Sequence, residues 1–454
     1  MKTVITYGVF DLFHEGHTSL LKRAKALGDH LIVGVTTDQY AYERGKLTVV
    51  DPLETRIRHL LECPYVDRVV IEDRDGQKVE DIKAYNADIF AIGDDWYGKF
   101  DYLKDLCEVV YLKRTPGISS SDLRQGTVDV LRIGIIGAGR VARRFCREAA
   151  FVRDVEVVSV YHPRPDSSGS LKQFRQEQPG IQLARTVEKL FDQTDAVYIA
   201  SPHETHYEYA KKALENGRHV LVEKPMALKK CQAQELFRVA RAHDVVLMEA
   251  IKTAYCPGFR NLIALAQSGL IGEIEDISAS FTRITPKEYR EWQDKRYGGS
   301  FTELGSYGLL PVVKLFGTEN LSWTFHSIRK DGVDAFTVVT VTKGDKIANV
   351  KSGIGVKTEG ELVISGTNGY FYVQAPWWKT SSFEIRREDP ADSRQFSFPF
   401  AGDGLRYEIA DLLYRARGNT SRDYKLTPEE SIQMAEVMES FLEICGGETT
   451  NGNV

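Results

Sequence analysis

Cysteine is scarce and scattered, neither sign of charge dominates, and no stretch approaches membrane length. The six cysteines, at 63, 107, 146, 231, 256 and 445, form no CxxC pair and no Cys/His cluster at zinc spacing. That argues against a disulfide frame and a zinc site, and reads as reduced core thiols of a cytoplasmic protein. No apolar run reaches the about 18 residues of a membrane helix. The start, MKTVITYGVF, has neither a basic leader nor a long apolar stretch, so neither a signal peptide nor a membrane partner is expected. Against 64 Asp and Glu stand 59 Lys and Arg, a net charge of -5. That balance gives no global field for nucleic acid, which leaves only local basic sites for small phosphates. The 454 residues, 42% hydrophobic and 27% charged, suit several domains with ordinary cores.

What is present begins with two glycine-rich strand-to-helix openings, VITYGVFDLFHEGH at the N-terminus and LRIGIIGAGRVARRF from Leu131. Each is a short apolar run, a glycine turn and a helical pattern, which is how a βα unit opens. The first continues through a helical TSLLKRAKALG, with Gly28 expected as its C-cap. The apolar runs HLIVGVTT, VDRVVIE, ADIFAIGDD and CEVVYLKR then bring the count to about five strands before Arg114. TPGISSSDLRQGT supplies a turn, serines suited to cap a further helix, and a linker. The second opening leads to strands at VEVVSVY, AVYIAS, HVLVEKP and VVLMEAI, with helices between them, one closed by Gly217. Beyond about residue 270, runs such as AFTVVTVTKG, IANVKSGIG and GELVISGTNG alternate with period two between glycine-rich turns, as in an antiparallel sheet. Two helices close the chain, the second opening on a capping box of Thr427 and Glu430. The expected class is α/β: two tandem Rossmann-like doubly wound parallel-sheet domains at 1–128 and 129–250. An α+β domain with an open antiparallel sheet is expected at 251–446, and a flexible tail at 447–454.

HxGH sets His14 and His17 at i and i+3 around a helix start, where they share a face. The helix N-terminus offers N–H groups to an anion, and two imidazoles beside it suit a phosphate gaining charge. Taken alone, the pattern also fits a surface histidine pair or an incomplete metal site. With ERGK, ETRIRHL, GDDWYGKFDYLKD, CEVVYLKRT and GISSS, residues 1–127 resemble the HxGH nucleotidyltransferase superfamily, and within it the glycerol-3-phosphate cytidylyltransferase family. The resemblance implies that His14 and His17 stabilise the transition state at the α-phosphate of CTP and that Lys46 and Arg114 neutralise phosphate charge. It also implies that Thr115 and Ser119 hold the triphosphate, that Gly8, Phe10 and Asp11 border the phosphate region, and that Asp94 and Trp96 lie near the base. Mg2+ is expected with CTP, held largely by phosphate oxygens, and no protein metal ligands are assigned. Val9 stands where the family has Thr, and the loop from Lys46 to Arg56 differs in length, so CTP is a firmer inference than the acceptor. Arg56 and Lys99 read equally well as solvated charges.

GIIGAGRVA is a dinucleotide fingerprint of the form GxGxxA, through Gly137, Gly139 and Ala142. The next strand ends in Tyr161, His162 and Arg164 rather than an acidic residue, which favours NADP over NAD, with a solvated arginine as the plainer reading. ASPHETHYEYAKKALENGRHVLVEKPMAL, MEAIKTAYCPGF and GGSFTELGSYGLLPVVKLFG resemble the glucose-fructose oxidoreductase/inositol dehydrogenase family, over about residues 130–446. The resemblance implies that Lys224 donates a proton to a carbonyl oxygen as hydride arrives, and that Glu223 and Pro225 shape the nicotinamide pocket. Ser201, Pro202 and His206 are implied along the cofactor, and Glu303 and Tyr307 stand where the family has Asp and, four residues on, His or Tyr. Tyr307 is an alternative acid or a core tyrosine, and Lys252 and Cys256 are structural or substrate-shaping.

The fusion suggests consecutive steps: reduction of a phosphorylated keto sugar, then CMP transfer from CTP to the polyol phosphate, giving a CDP-polyol for a surface polymer. The alternatives are a cytidylyltransferase with a non-catalytic dimerisation or sensing module, and reduction of a CDP-linked carbonyl. A homo-oligomer, dimer or tetramer, is expected.

Overall fold

A computed structural model describes residues 2–43, 49, 51–74, 76–113, 130–165, 168–418 and 425–446. They divide into two units, Met1–Asp129 and Val130–Val454. No helix among the described residues is long and apolar enough to cross a membrane.

The first unit runs β1 (Thr3–Gly8), α1 (Glu15–Lys25), β2 (His30–Thr36), α2 (Asp38–Glu43), α3 (Leu53–Glu62), β3 (Arg68–Glu72), α4 (Gln77–Ala84), β4 (Ile89–Gly93) and β5 (Glu108–Leu112). Its strands pair in parallel in the order β3-β2-β1-β4-β5. Successive side chains alternate between two buried faces. Val4, Leu31, Val33 and Ile89 enter one core, and Ile5, Ile32, Phe90 and Ile92 the other. That double burial is why these strands read as unbroken apolar runs. The order reverses between β1 and β4, and such a switch opens a crevice at the carboxyl ends of the strands. Gly28 is not the expected cap. α1 ends at Lys25 with Ala26 as its C-cap, and a Cβ at Gly28 would lie 2.6 Å from Lys2 O, so glycine is needed there for close approach.

In the second unit β6 (Leu131–Ile136), α5 (Arg140–Ala149), β7 (Val155–Tyr161), α6 (Gly169–Glu177), β8 (Gln182–Ala184), α7 (Val187–Phe191) and β9 (Ala196–Ile199) come first. α8 (His206–Glu215), β10 (His219–Glu223), α9 (Lys230–Ala242) and β11 (Leu247–Ala250) complete a parallel sheet ordered β11-β10-β9-β6-β7-β8. Its switch lies between β6 and β9.

Then follow α10 (Pro257–Gln267), β12 (Ile274–Thr282), α11 (Arg290–Gln293), α12 (Ser300–Phe316), β13 (Ser322–Lys330), β14 (Val333–Lys343) and β15 (Lys346–Gly353). β16 (Leu362–Gly366), β17 (Gly369–Val373), β18 (Ser382–Arg386), β19 (Arg394–Ser397), α13 (Leu405–Ala416) and α14 (Pro428–Gly446) end the described chain. The eight strands run β13-β14-β15-β12-β16-β17-β18-β19. The sheet is mixed rather than purely antiparallel, because β12 pairs with β15 in parallel. The largely buried α12 packs on β12, β14 and β15. Asp334 of β14 accepts from Ser300 N at 3.0 Å, Ser300 Oγ at 2.6 Å and Phe301 N at 2.8 Å, so the sheet caps this helix. The capping box at α14 forms, Thr427 N donating to Glu430 Oε2 at 2.8 Å and Glu430 N to Thr427 Oγ1 at 3.3 Å.

Candidate active sites

The loop after β1 is bent into a conformation that ordinary side chains avoid. Phe10 and Leu12 have φ of 54° and 47°. Each such residue costs about 1–3 kcal/mol and persists only where its surroundings hold it. Arg56 does much of the holding. Its fully buried guanidinium donates to Val9 O at 2.6 Å, Thr36 O at 2.7 Å and Asp51 O at 2.9 Å, and it pairs with Asp38. The solvated reading of Arg56 is thereby corrected. Buried Asp11 accepts from Asp51 N at 2.9 Å, and buried Phe10 lies against Gly8, where a Cβ would sit 3.0 Å from its ring.

His14 is the N-cap of α1, in extended backbone, and its Nδ1 accepts from Gly16 N at 3.0 Å. That bond puts the proton of the neutral ring on Nε2. Burial lowers the His14 pKa, so the ring is neutral at pH 7. His17 stacks on it with centroids 4.0 Å apart, and Phe10 and Phe13 lie 5.4 and 5.6 Å from His17. Across the switch, Asp94 and Trp96 occupy a short 3-10 turn after β4, both exposed, with Lys99 Nζ 4.9 Å from the Trp96 ring. Lys46, Arg114, Thr115 and Ser119 lie outside the described residues.

The second crevice begins at Gly137, whose φ is 105° and whose Cβ would fall 2.3 Å from Ala200 O. Gly139 is the N-cap of α5, and a Cβ there would meet nothing within 4 Å, so the space beside this helix start is open. Ala142 is buried where α5 packs on the sheet. These residues fit a dinucleotide pyrophosphate at the helix N-terminus. Arg164 is exposed past the end of β7, its N–H donating to His162 Nδ1 at 3.1 Å.

His206 requires a correction. It is fully buried, with ring nitrogens 2.8 Å from Pro225 O and 2.9 Å from Ser201 O. A side chain with no accessible surface cannot line a cofactor crevice; it ties together the loops after β9 and β10. Burial pushes its pKa down to about 3, against the preference of two carbonyls for a doubly protonated ring. Ser201 Oγ accepts from Thr205 Oγ1 at 2.7 Å, and Pro202 precedes a short 3-10 turn.

Past β10, buried Lys224 donates to Glu303 O at 2.8 Å and stands 3.6 Å from Glu303 Oε2; its peptide bond to Pro225 is cis. Glu303 is in the first turn of α12, so the extra methylene relative to Asp still brings its carboxylate to Lys224. His203 Nε2 lies 3.5 Å from its Oε2, and Arg283 approaches its Oε1 at 3.4 Å. Burial opposes ionisation of Glu303, but Lys224, then His203, then Arg283 outweigh it and hold the pKa below the usual carboxylate range. Glu291 bridges Arg283 at 2.6 Å and Arg140 at 2.9 Å. Tyr307, one turn along α12, is half-buried and edge-on to Phe281 at 5.1 Å. Burial first, then the charges of Glu223, Glu408 and Glu303, raise its pKa well above the ordinary phenol value, so it stays protonated. Glu223 accepts from Tyr198 Oη at 2.6 Å, and its pKa is raised, chiefly by burial.

His203 and Arg283 were missed in the sequence. In SPHETHYEY two histidines compete, and nothing local tells that the first meets Glu303 while the second is sealed inside.

The family described as Cytidylyltransferase-like matches residues 5–126, and the oxidoreductase family with an NAD-binding Rossmann fold matches 131–251. A glycerol-3-phosphate cytidylyltransferase of Staphylococcus aureus is 48% identical over 125 residues, 28% of this chain and 94% of that protein. A scyllo-inositol 2-dehydrogenase (NADP(+)) of Bacillus subtilis is 27% identical over 321 residues, 68% of this chain and 95% of the relative. Among solved structures, a 3-ketoreductase from Actinomadura kijaniata, in complex with NADP and TDP-benzene, superposes with a TM-score of 0.59 at 25% identity, covering 68% of this chain and 96% of the other. The chain belongs to the cytidylyltransferase family through its first unit and to the glucose-fructose oxidoreductase/inositol dehydrogenase family through its second, and is an enzyme of both kinds.

Proposed function

We propose that the second unit reduces a phosphorylated keto sugar or related carbonyl with NAD(P)H, and that the first transfers CMP from CTP to the resulting polyol phosphate. The products are a CDP-polyol, a precursor for a surface polymer, and pyrophosphate. In this reading residues 1–128 are the transferase, 129–250 the cofactor domain and 251–446 the substrate and oligomerisation domain. The observation that carries it is the Lys224–Glu303 contact beside one switch-point crevice, in a chain whose other such crevice bears the His14–His17 stack.

The bound dinucleotide supplies the hydride. Lys224, steadied by Glu303, offers a proton to the carbonyl oxygen, with the Tyr307 phenol as a second donor. Arg164, exposed beyond β7, favours NADP by offering charge to a 2′-phosphate. In the transferase, a phosphate oxygen of the acceptor attacks the α-phosphorus of CTP, and the bond to pyrophosphate breaks. His14 and His17 stabilise the charge that develops. Mg2+ enters with the triphosphate, held largely by phosphate oxygens. Half-exposed residues alternating along β14 and β15 support a dimer or tetramer through the open sheet, testable by light scattering. The scattered free thiols accord with a reducing cytoplasm.

The test incubates the full chain with Mg2+, CTP, NADPH and a panel of ketose phosphates, following NADPH absorbance and product mass. Stoichiometric NADPH loss with CDP-polyol formation is expected. If no phosphorylated or CDP-linked carbonyl oxidises NADPH, the pairing fails, and the sensing-module reading takes its place. The TDP-linked ligand named for the Actinomadura structure favours a second order of events, reduction after CDP attachment. NADPH oxidation that requires CTP would select that order; oxidation without CTP selects the first.

A further inference from the structure

The second unit buries a cation that the reduction just described does not use. Lys252 follows β11 by two residues. β11 runs parallel to β10, with Glu223 opposite Ala250, so Lys252 leaves the same sheet edge as Lys224. Neighbouring strands are about 4.8 Å apart. The Lys252 side chain is buried, and its ammonium donates to the backbone oxygen of Asp403 at 2.8 Å. Among the described residues no carboxylate forms an ion pair with it.

Two more cations stand on the same residue. Lys379 Nζ lies 3.0 Å from Asp403 Oδ1, and Arg144 Nε 3.4 Å from Oδ2. Three cations therefore meet at one residue, two on its carboxylate and Lys252 on its backbone oxygen, and that single carboxylate is the only acidic group they contact among the described residues. The other acids nearby do not balance them. Glu148 is committed to Arg406 through two contacts of 2.8 and 3.0 Å. Glu408 is 1% exposed, and its Oε2 has no hydrogen-bond partner. Burial, then the Glu223 charge, raises its pKa well above the ordinary carboxylate value, which disfavours its charged form. Burial, then Lys379, then Arg144 lower the pKa of Lys252 itself. A buried cation beside like charges is costly unless an anion completes the set. The cluster is also next to the chemistry, because Lys252 leaves the same end of the parallel sheet as Lys224, one strand away.

We propose that Arg144, Lys252 and Lys379 form an anion subsite that holds the phosphate of the carbonyl substrate. This rests on the reductase reading and narrows it: the substrate class is a carbonyl compound bearing a phosphate monoester. Such a group carries about -1.5 to -2 charges at pH 7, which matches an excess of two cations. It also explains why the reduced product would be an acceptor for the other unit, whose chemistry needs a phosphate oxygen as nucleophile.

The experiment uses the full chain and its Lys379→Met and Arg144→Gln variants, both at partly exposed positions, with Lys252→Met alongside. NADPH oxidation is measured with a ketose phosphate and with the unphosphorylated ketose of the same carbon number, and NADPH affinity by its fluorescence. The variants are expected to raise KM for the ketose phosphate about 10–100-fold, leaving NADPH affinity and KM for the unphosphorylated ketose unchanged. Equal effects on both ketoses, or none on either, overturn the proposal. So does weakened NADPH binding, which would assign the cations to the cofactor pyrophosphate. Calorimetric titration with inorganic phosphate, in the presence of saturating CTP and Mg2+, decides the subsite even if no tested carbonyl is reduced. One phosphate site weakened at least about tenfold by Lys379→Met supports it, and no site, or one indifferent to the variants, overturns it.

Discussion

Lys224 and Glu303 are 79 residues apart in the chain, yet the lysine both donates to the glutamate backbone and faces its carboxylate. A cation so held is positioned before any substrate arrives, and losing a positioned proton donor typically costs about 10²–10⁴ in rate. Lys224→Met is expected to lower NADPH oxidation by that order and to leave CMP transfer to a supplied polyol phosphate unchanged. Parallel assays of the two activities check this; an equal fall in both would show that the lysine supports the whole fold. The carboxylate has its own signature in pH. An unfolded Glu titrates near about 4.3, and Glu303 in the folded state titrates lower. Its contribution to stability is therefore complete at neutral pH and is lost as pH falls below about 4 through the folded value. Urea midpoints of the native chain and Glu303→Gln should differ at pH 7, and the difference should narrow steadily as pH falls below about 4. A gap that stays constant would mean that the charge of Glu303 does not stabilise the fold.

At the scale of elements, the decisive device is the cap that β14 gives α12. Asp334 accepts three hydrogen bonds from the start of that helix and a fourth from Thr337 Oγ1 at 2.8 Å. Asp334→Ala leaves buried donors unmatched and should cost about 1–3 kcal/mol, measured by denaturant unfolding. Because Glu303 sits in the turn so capped, kcat for NADPH oxidation should fall as well, and Asp334→Asn should restore part of both. None of this is readable from residue spacing, since the aspartate lies on a different element. Where signals were local, they were legible: the two glycine turns, the period-two strands and the Thr427–Glu430 box all fall where their patterns point. Where they depended on a distant partner, they were not. Alternation looks the same in parallel and antiparallel strands, so the parallel β12–β15 pair was hidden. β13 is exposed at most positions, and its alternation is confined to Trp323 and Phe325 between Ser322, Thr324 and His326. Gly28 was read as a helix stop, though its cause is a contact with Lys2. Arg56 has the composition of a surface charge, and its burial follows from a strained loop that no pattern announces.

For the whole molecule, the consequential feature is that each unit has its own core and its own switch-point crevice. A ligand stabilises only the state that binds it, by about 2.7 kcal/mol at a hundred times its Kd. CTP with Mg2+ should therefore raise the unfolding temperature of the first unit alone, and NADPH that of the second alone. Scanning calorimetry with each ligand separately measures this, and limited proteolysis identifies which unit each transition represents. Gly137→Ala separates the two responses further. The added methyl meets Ala200 O at 2.3 Å in a backbone conformation with φ of 105°. The variant should lose the NADPH-dependent shift and keep the shift from CTP. If either ligand raised both transitions together, or if Gly137→Ala abolished the CTP response, binding in one unit would be coupled to the stability of the other. The two activities would then have to be treated as one linked system rather than as consecutive, independent steps.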